Sequence, residues 1–107
     1  KKIFLSTSGG LSLAFKKINS ESEYKDFGLY SCPIWGQNLK SSQQNQIDKF
    51  DEIVTVEDHL LDGGFGSWLR ESIVKQSSHI KIKNLALNKN IIGSVGSEDY
   101  LLKKAGF

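Results

Sequence analysis

The feature that most constrains the fold is the segment from Asp51 to Ser67, in which a β-branched run leads through a glycine cluster into an amphipathic stretch. Residues 53–56 are Ile-Val-Thr-Val, a composition typical of a buried strand. Gly63, Gly64 and Gly66 follow, and the apolar residues around and after them recur at helical spacing. A strand that enters a helix through a short turn is the repeating unit of α/β proteins, so an α/β fold is predicted.

Three other strand patterns and three other helix patterns flank this segment. Because strands alternate with helices at this spacing, we predict a small, mostly parallel open sheet with helices on both faces, a three-layer αβα sandwich. The strands are predicted over residues 2–7, 27–34, 51–56 and 80–87, and the helices around 11–18, 39–50, 65–73 and between Ser97 and Gly106.

Local signals indicate where the helices begin and end. Ser97 is predicted to cap the last helix and Gly106 to end it. Ser41 or Ser42 is available to cap the second helix. The packed side of the first helix is predicted to consist of Leu11, Ala14, Phe15 and Ile18.

Composition limits the class of protein. The chain has 107 residues, the usual size of one domain, and its 38% hydrophobic and 24% charged residues are typical of a soluble globule. The net charge of +2 comes with no concentrated basic face, so no nucleic-acid partner is expected. No apolar run approaches the length of a membrane span, so no membrane association is expected.

Cys32 is the one cysteine of the sequence, which excludes an intramolecular disulfide and favours a cytoplasmic location. Because it lies in an apolar run, we predict a packed thiol and not a nucleophile. The sequence contains no methionine, even at position 1. We therefore expect residues 1–107 to be one domain excised from a longer chain.

The predicted loop from Glu57 to Ser67 is the first candidate site, because ligands of open α/β sheets gather beyond the carboxyl ends of the strands. Gly63, Gly64 and Gly66 would let a phosphate or another chain approach the backbone closely. Their spacing matches neither the dinucleotide fingerprint nor the phosphate-binding loop. We expect these glycines to serve a tight turn and close helix packing, with an anion-binding or interface loop of Gly63 to Ser67 as the alternative.

Glu57, Asp58 and His59 place two carboxylates and an imidazole at a predicted strand end, where general acids, bases and metal ligands often lie. His79 is the only other histidine and no second cluster accompanies it, so no metal site is predicted. A hydrogen-bonded structural or interface role is favoured for His59 over a catalytic one.

The two tryptophans have different predicted roles. Trp68 falls on the apolar stripe of the third helix and is predicted to lie in the core. Trp35 follows Pro33 at a strand end, where an exposed indole could anchor a partner.

Three motifs together closely resemble the C-terminal domain of transketolase and its relatives. They are Ile53-Val-Thr-Val-Glu-Asp-His59, Gly63-Gly-Phe-Gly-Ser67 and Gly96-Ser-Glu-Asp-Tyr-Leu-Leu-Lys-Lys-Ala-Gly-Phe107. These relatives are thiamine-diphosphate enzymes that include deoxyxylulose-phosphate synthase and the β subunits of 2-oxoacid dehydrogenases. The resemblance covers essentially the whole chain in order, and it departs from the family at Cys32-Pro-Ile-Trp-Gly36.

The resemblance implies a parent enzyme that transfers two-carbon ketol units between sugar phosphates, with thiamine diphosphate and Mg²⁺ held by its other domains. The family's diphosphate motif, Gly-Asp-Gly followed by paired asparagines, does not occur in this chain. We therefore expect this domain to bind no cofactor, to catalyse nothing alone, and to pack on other domains or subunits of a homodimeric parent. Glu57 and His59 match the family motif and are the candidates for facing the active site.

Two alternative functions remain open at this point. One is the C-terminal assembly domain of a 2-oxoacid dehydrogenase β subunit, which binds the acyltransferase partner. The other is a free-standing ligand-binding α/β module, which requires a well-formed pocket at the strand ends.

Overall fold

A computed structural model of the chain describes residues 1–7, 9–33, 35–36, 39–73 and 79–107. Its strands are β1 (Lys2–Ser6), β2 (Gly28–Ser31), β3 (Glu52–Leu60) and β4 (Lys81–Leu87). Its helices are α1 (Gly10–Ser20), α2 (Lys40–Ile47), α3 (Phe65–Ile73) and α4 (Glu98–Lys104). The strands form one sheet in the order β2-β1-β3-β4, and every neighbouring pair is parallel.

The two inner strands are the most apolar, as a parallel sheet covered on both faces requires. Residues 3–6 of β1 and 53–57 of β3 are all buried. The edge strands are more polar, and in β4 the exposed Lys81 and Lys83 alternate with Ile82 as the sequence predicts. Strand position therefore follows the hydrophobic content of each segment.

The sheet separates two hydrophobic clusters, because successive side chains of a strand point to opposite faces. The cluster under α2 and α3 consists of Ile3, Leu5, Cys32, Ile47, Phe50, Ile53, Phe65, Trp68, Leu69, Ile73 and Ile80. The cluster under α1 consists of Phe4, Ala14, Tyr24, Val54 and Val56, and Phe107 after α4 packs against it. Helices thus cover both faces of a parallel sheet, and the predicted α/β architecture is confirmed.

Tyr24, in a short 3-10 turn (Ser22–Tyr24) after α1, links the second cluster to the edge strand β4. Its ring packs edge to face against Phe4 with centroids 4.9 Å apart. Its hydroxyl accepts a hydrogen bond from Lys83 Nζ at 2.8 Å, and this hydrogen bond raises the pKa of Lys83.

Strand β3 is longer than the predicted 51–56, and this changes the position of the candidate site. Glu57, Asp58 and His59 belong to the strand and not to a loop, because Leu60 still pairs with Leu87 of β4 beyond an irregularity in register. The alternation of a strand therefore applies to these three side chains.

Three local predictions are also corrected. Phe15 is 59% exposed, because the packed side of α1 is centred on Gly10 and Ala14, whose small size allows the helix to approach the sheet closely. Ser41 and Ser42 lie inside α2, which begins one residue after Leu39. The second strand is shorter than the predicted 27–34, since it ends at Ser31, but it does run at an edge of the sheet, as Pro33, which has no backbone N–H for a ladder, indicates.

Other local predictions are confirmed. The Ser97 hydroxyl accepts a hydrogen bond from the Tyr100 amide at 3.2 Å, as an N-cap does. Gly106 ends the helical segment with φ of +100°. Ile34, at the end of the predicted second strand, lies outside the described residues. Among the described residues, no helix has the length and apolar content needed to cross a membrane.

The role of β3 in the core predicts the effect of Ile53→Ala. Ile53 is 0% exposed, so its truncation should lower the free energy of unfolding by about 2–5 kcal/mol. Ile92→Ala is the matched control, because Ile92 is 68% exposed and its truncation should change stability by no more than about 0.5 kcal/mol. Urea unfolding measures both, and equal losses would contradict the assigned core.

Candidate functional site

The candidate site lies where β3 ends between the starts of α1 and α3. Because strand side chains alternate, Glu57 and His59 point towards α3 and Asp58 points towards α1. The sequence-predicted trio is therefore brought to one edge of the sheet but divided between two helices.

Glu57 of β3 has a fully buried carboxylate that lies against the start of α3. Its Oε1 accepts a hydrogen bond from the Gly66 amide at 2.9 Å and lies 2.7 Å from His59 Nε2. Its Oε2 lies 3.4 Å from the Thr55 hydroxyl, which donates to it. The positive end of the helix dipole further stabilises a negative charge here. Glu57 is thus an internal anchor of α3, and it has no surface to present to a substrate.

The polar network continues beneath Glu57 to the edge strand. The Thr55 hydroxyl accepts a hydrogen bond from Asn84 Nδ2 at 2.7 Å. Arg70 of α3 donates from Nε to Asn84 Oδ1 and from Nη2 to the carbonyl of Ile82 at 2.8 Å. These contacts give the buried Thr55 hydroxyl a donor as well as an acceptor, and they connect α3, β3 and β4.

Sequence reasoning missed Thr55, Asn84 and Arg70 as members of this network. Thr55 stands in the β-branched run, where its methyl group fits a buried strand, and Arg70 stands on the polar side of α3. The available signal was the position of Asn84 between Ile82 and Ala86 on the alternation of β4 that faces away from Lys81 and Lys83. An amide at such a position usually has a buried partner.

His59 is partly exposed and is held by Glu57. The Phe65 amide also lies 3.3 Å from Nε2, and one ring nitrogen cannot both donate and accept. We assign the proton to Nε2, because a carboxylate at 2.7 Å is the stronger partner. Nδ1 then carries a lone pair, and it lies 3.7 Å from Asp58 Oδ1.

The glycines of the turn are required by the close approach of Glu57 and His59. A Cβ on Gly64 would lie 2.6 Å from Glu57 Oε1 and 2.7 Å from His59 Nε2, and one on Gly66 would lie 2.5 Å from Glu57 Oε2. Gly63 has φ of +72°, a left-handed conformation that favours glycine. The structure therefore agrees with the predicted use of these glycines in a tight turn with close helix packing.

The alternative use of Gly63, Gly64, Gly66 and Ser67 as an anion loop receives no support from the hydrogen bonds. The Gly64 amide donates to the carbonyl of Leu61 at 3.0 Å, and the Ser67 hydroxyl donates to the same carbonyl at 2.7 Å. The Gly66 amide donates to Glu57. These donors are engaged, and the carboxylate of Glu57 occupies the place that an anion would take.

The start of α1 meets the same edge of the sheet. The carboxylate of Asp58 lies directly against Gly9, and the carbonyl of Val56 lies directly against Gly10, so neither position has room for a Cβ. In open α/β sheets, the crevice between such helix starts is the usual ligand site. Here the chain's own carboxylates face both helix starts.

Trp35 lies beside this edge and is half-buried. Its ring contacts Phe65 and Trp68, with centroid distances of 5.6 and 5.7 Å. Trp68 is buried and donates from Nε1 to the carbonyl of Gly36 at 2.8 Å, which confirms its predicted core position. The remaining surface of Trp35 lines two open depressions, so part of the indole remains accessible to a partner.

The two other candidate residues, Cys32 and His79, are not part of the cluster at the end of β3. Cys32 is buried, with Sγ 3.4 Å from Gln43 Oε1, which agrees with the predicted packed thiol. His79 precedes β4, and its Nε2 lies 3.1 Å from the carbonyl of Asp48. Within the described part of the chain, no three His, Cys, Asp or Glu side chains are grouped to hold a metal ion.

Comparison with known proteins adds no family assignment. No family model matches the chain, and neither a curated protein nor a solved structure matches it. Function is therefore inferred from the motifs and from the geometry of the carboxyl edge.

The crowding above Glu57 predicts that Gly66→Ala destabilises the domain more than Gly63→Ala. Gly63 is surrounded by open space, so its substitution should cost only the left-handed backbone penalty of about 1–2 kcal/mol. An alanine at position 66 must displace the buried Glu57 carboxylate and the Asn84 amide from their hydrogen bonds. Denaturant unfolding compares the two variants, and a smaller loss for Gly66→Ala would contradict the tight packing.

The Glu57 contact predicts the tautomer of His59. At pH 8, long-range ¹H–¹⁵N NMR should show a proton on Nε2 and none on Nδ1, and Glu57→Gln should lower the population of this tautomer because a neutral amide is a weaker acceptor. His79 is the internal control, since the substitution lies far from it. A wild-type His59 protonated on Nδ1 would overturn the assignment.

Proposed function

We propose that this chain is the C-terminal domain, or a separate C-terminal portion, of a transketolase-like thiamine-diphosphate enzyme. The parent enzyme would transfer two-carbon ketol units between sugar phosphates, and this domain would organise its neighbours without reacting itself. The observation that carries the proposal is the burial of Glu57. Its carboxylate is hydrogen-bonded to the Gly66 amide and to His59 and is not accessible to a substrate, which supports a structural role for this domain.

The position of the motifs supports a role in docking. The residues of the first two motifs form a continuous unit, the end of β3 and the start of α3, at the edge where open α/β sheets meet their ligands and neighbours. Beside this unit lies the accessible part of Trp35, a residue type that often anchors protein contacts. The depressions at this edge are open and shallow, which suits an interface better than a substrate pocket.

The negative charges at the carboxyl edge of the sheet disfavour binding of an anionic cofactor by this domain. Asp58 and Asp62 are exposed there, and a diphosphate would be repelled by both. Thiamine diphosphate and Mg²⁺ are therefore assigned to the other domains or subunits of a homodimeric, cytoplasmic parent. Nucleic acids and membranes are not among the proposed partners.

If the other domains of the parent enzyme bind the cofactor and this domain only organises them, the chain alone should have no ketol transferase activity. With thiamine diphosphate, Mg²⁺, a ketose phosphate donor and an aldose phosphate acceptor, a coupled assay should show no turnover above the enzyme-free rate. Calorimetry should show no binding of thiamine diphosphate. Turnover by the isolated chain would overturn the proposal.

Reconstitution tests the positive half of the proposal. Co-expression with the product of the upstream coding sequence, if that sequence carries the Gly-Asp-Gly and paired-asparagine motif, should restore ketol transfer. The control is the same product expressed without this chain. Stable binding to an acyltransferase core, with no ketol transfer, would instead identify a 2-oxoacid dehydrogenase assembly domain.

A further inference from the structure

The open surface beside α3 shows the kind of partner group that this domain accepts. We define the Trp35 surface as the accessible part of Trp35 with His59, Leu60, Asp62 and Gly63–Gly64, which line a shallow depression of about 420 Å³. We infer that this surface docks a basic side chain, best an arginine, of the cofactor-carrying part of the parent enzyme. The partner's identity rests on the proposed function, whereas the preference for a cation rests on the surface itself.

Two of the backbone donors that an anionic partner would need are engaged. The amides of Gly64 and Gly66 donate to the carbonyl of Leu61 and to the carboxylate of Glu57. A phosphate or carboxylate approaching this turn would find few free donors and would face the buried charge of Glu57. The surface is therefore poorly matched to an anion.

The polar groups that face outwards are mainly acceptors. Asp62 presents an exposed carboxylate at the depression, and with the proton of His59 on Nε2 the Nδ1 lone pair of that ring is a second acceptor. A group that carries several donors and no acceptor suits such a surface. Guanidinium and ammonium are the side-chain groups with that property.

The Trp35 ring adds a second preference for a cation. Phe65 and Trp68 support the indole from within the domain, and the rest of the ring faces the depression. Cations are attracted to the face of tryptophan, and a planar guanidinium can stack on it as well. Arginine is thus favoured over lysine at this position.

The chain already shows that this surface takes a cation. The ammonium of Lys89 lies 3.2 Å from the Asp62 carboxylate, in a pair whose two side chains are about three-quarters exposed. Such an exposed pair contributes little stability, so a partner's cation can replace Lys89 at low cost. The Arg70 guanidinium does not compete, because it is bonded to Asn84 and to the carbonyl of Ile82.

The shape of the surface favours a protein side chain over a small cationic ligand. Sites for small molecules usually enclose most of the ligand, whereas this depression is open along one side. A tryptophan anchor with charged groups at its rim is instead common at protein interfaces. The exposed Leu61 next to Asp62 extends the apolar part of the same surface.

The experiment uses agmatine as the guanidinium probe and sodium phosphate as the anion probe, at pH 8 and matched ionic strength. Agmatine should shift the indole resonance of Trp35 and the amide resonances of Gly63 and Gly64 in ¹H–¹⁵N spectra. Phosphate should leave the amides of Gly63 to Ser67 unchanged. The amides of α4, which contributes no residue to the Trp35 surface, are the internal reference.

Two variants locate the binding and one matched variant controls for charge. Trp35→Leu and Asp62→Asn should each weaken agmatine binding roughly two- to fivefold, and Trp35→Phe should retain most of it. Asp99→Asn removes an exposed carboxylate from α4, beside α1, and should have no effect. Thermal unfolding confirms that each variant is folded before its titration is interpreted.

Every outcome decides the inference independently of the proposed function. Shifts at Gly63 to Ser67 caused by phosphate, or the absence of shifts with agmatine, would overturn the cationic docking surface even if reconstitution restores ketol transfer. Agmatine shifts that survive Asp62→Asn and Trp35→Leu would overturn it as well. If agmatine causes specific shifts but reconstitution gives no ketol transfer, the cationic docking surface is supported and the proposed transketolase-like parent enzyme is contradicted.

Discussion

The hydrogen bonds of the Glu57 carboxylate are the constraint on which the rest of the carboxyl edge depends. A carboxylate with no exposed surface is costly unless its oxygens are bonded, and here the start of α3 and the ring of His59 supply those bonds. The glycines of the turn are a consequence, because the helix must approach the carboxylate more closely than a Cβ allows. The contact between Thr55 and Asn84 completes the set and fixes the edge strand to the same anchor.

This constraint also changes the chemistry of the crevice. In many doubly wound proteins, free amides at helix starts attract phosphates to the edge where the strands end. In this chain, Glu57 and Asp58 point to opposite sides of β3, and each lies against the start of a different helix. The edge is consequently rich in acceptors, which supports a role in contacts with basic protein surfaces and argues against phosphate capture.

Much of the architecture could be predicted from local patterns. The β-branched run at 53–56 and the apolar stripe of α3 are strong periodic signals, and the N-cap at Ser97 is a local hydrogen bond that a few residues determine. The burial of Glu57 could not be predicted, because charged residues are normally exposed and its partners lie across a turn. Asn84 joins the network only through the register of β4 with β3, which no local pattern specifies. Phe15 was misplaced because helical spacing alone did not reveal that small residues form the contact face of α1.

Because Glu57 and Gly66 are in contact, the residue type at one position limits the residue types that the other position can tolerate. A larger side chain at position 66 becomes acceptable only after the carboxylate is shortened or removed, and that change leaves the amide at the start of α3 and the imidazole of His59 without their acceptor. Either order of single substitutions passes through a less stable intermediate. Divergence at this junction should therefore proceed by paired replacement, and the two positions should covary among descendants of this sequence.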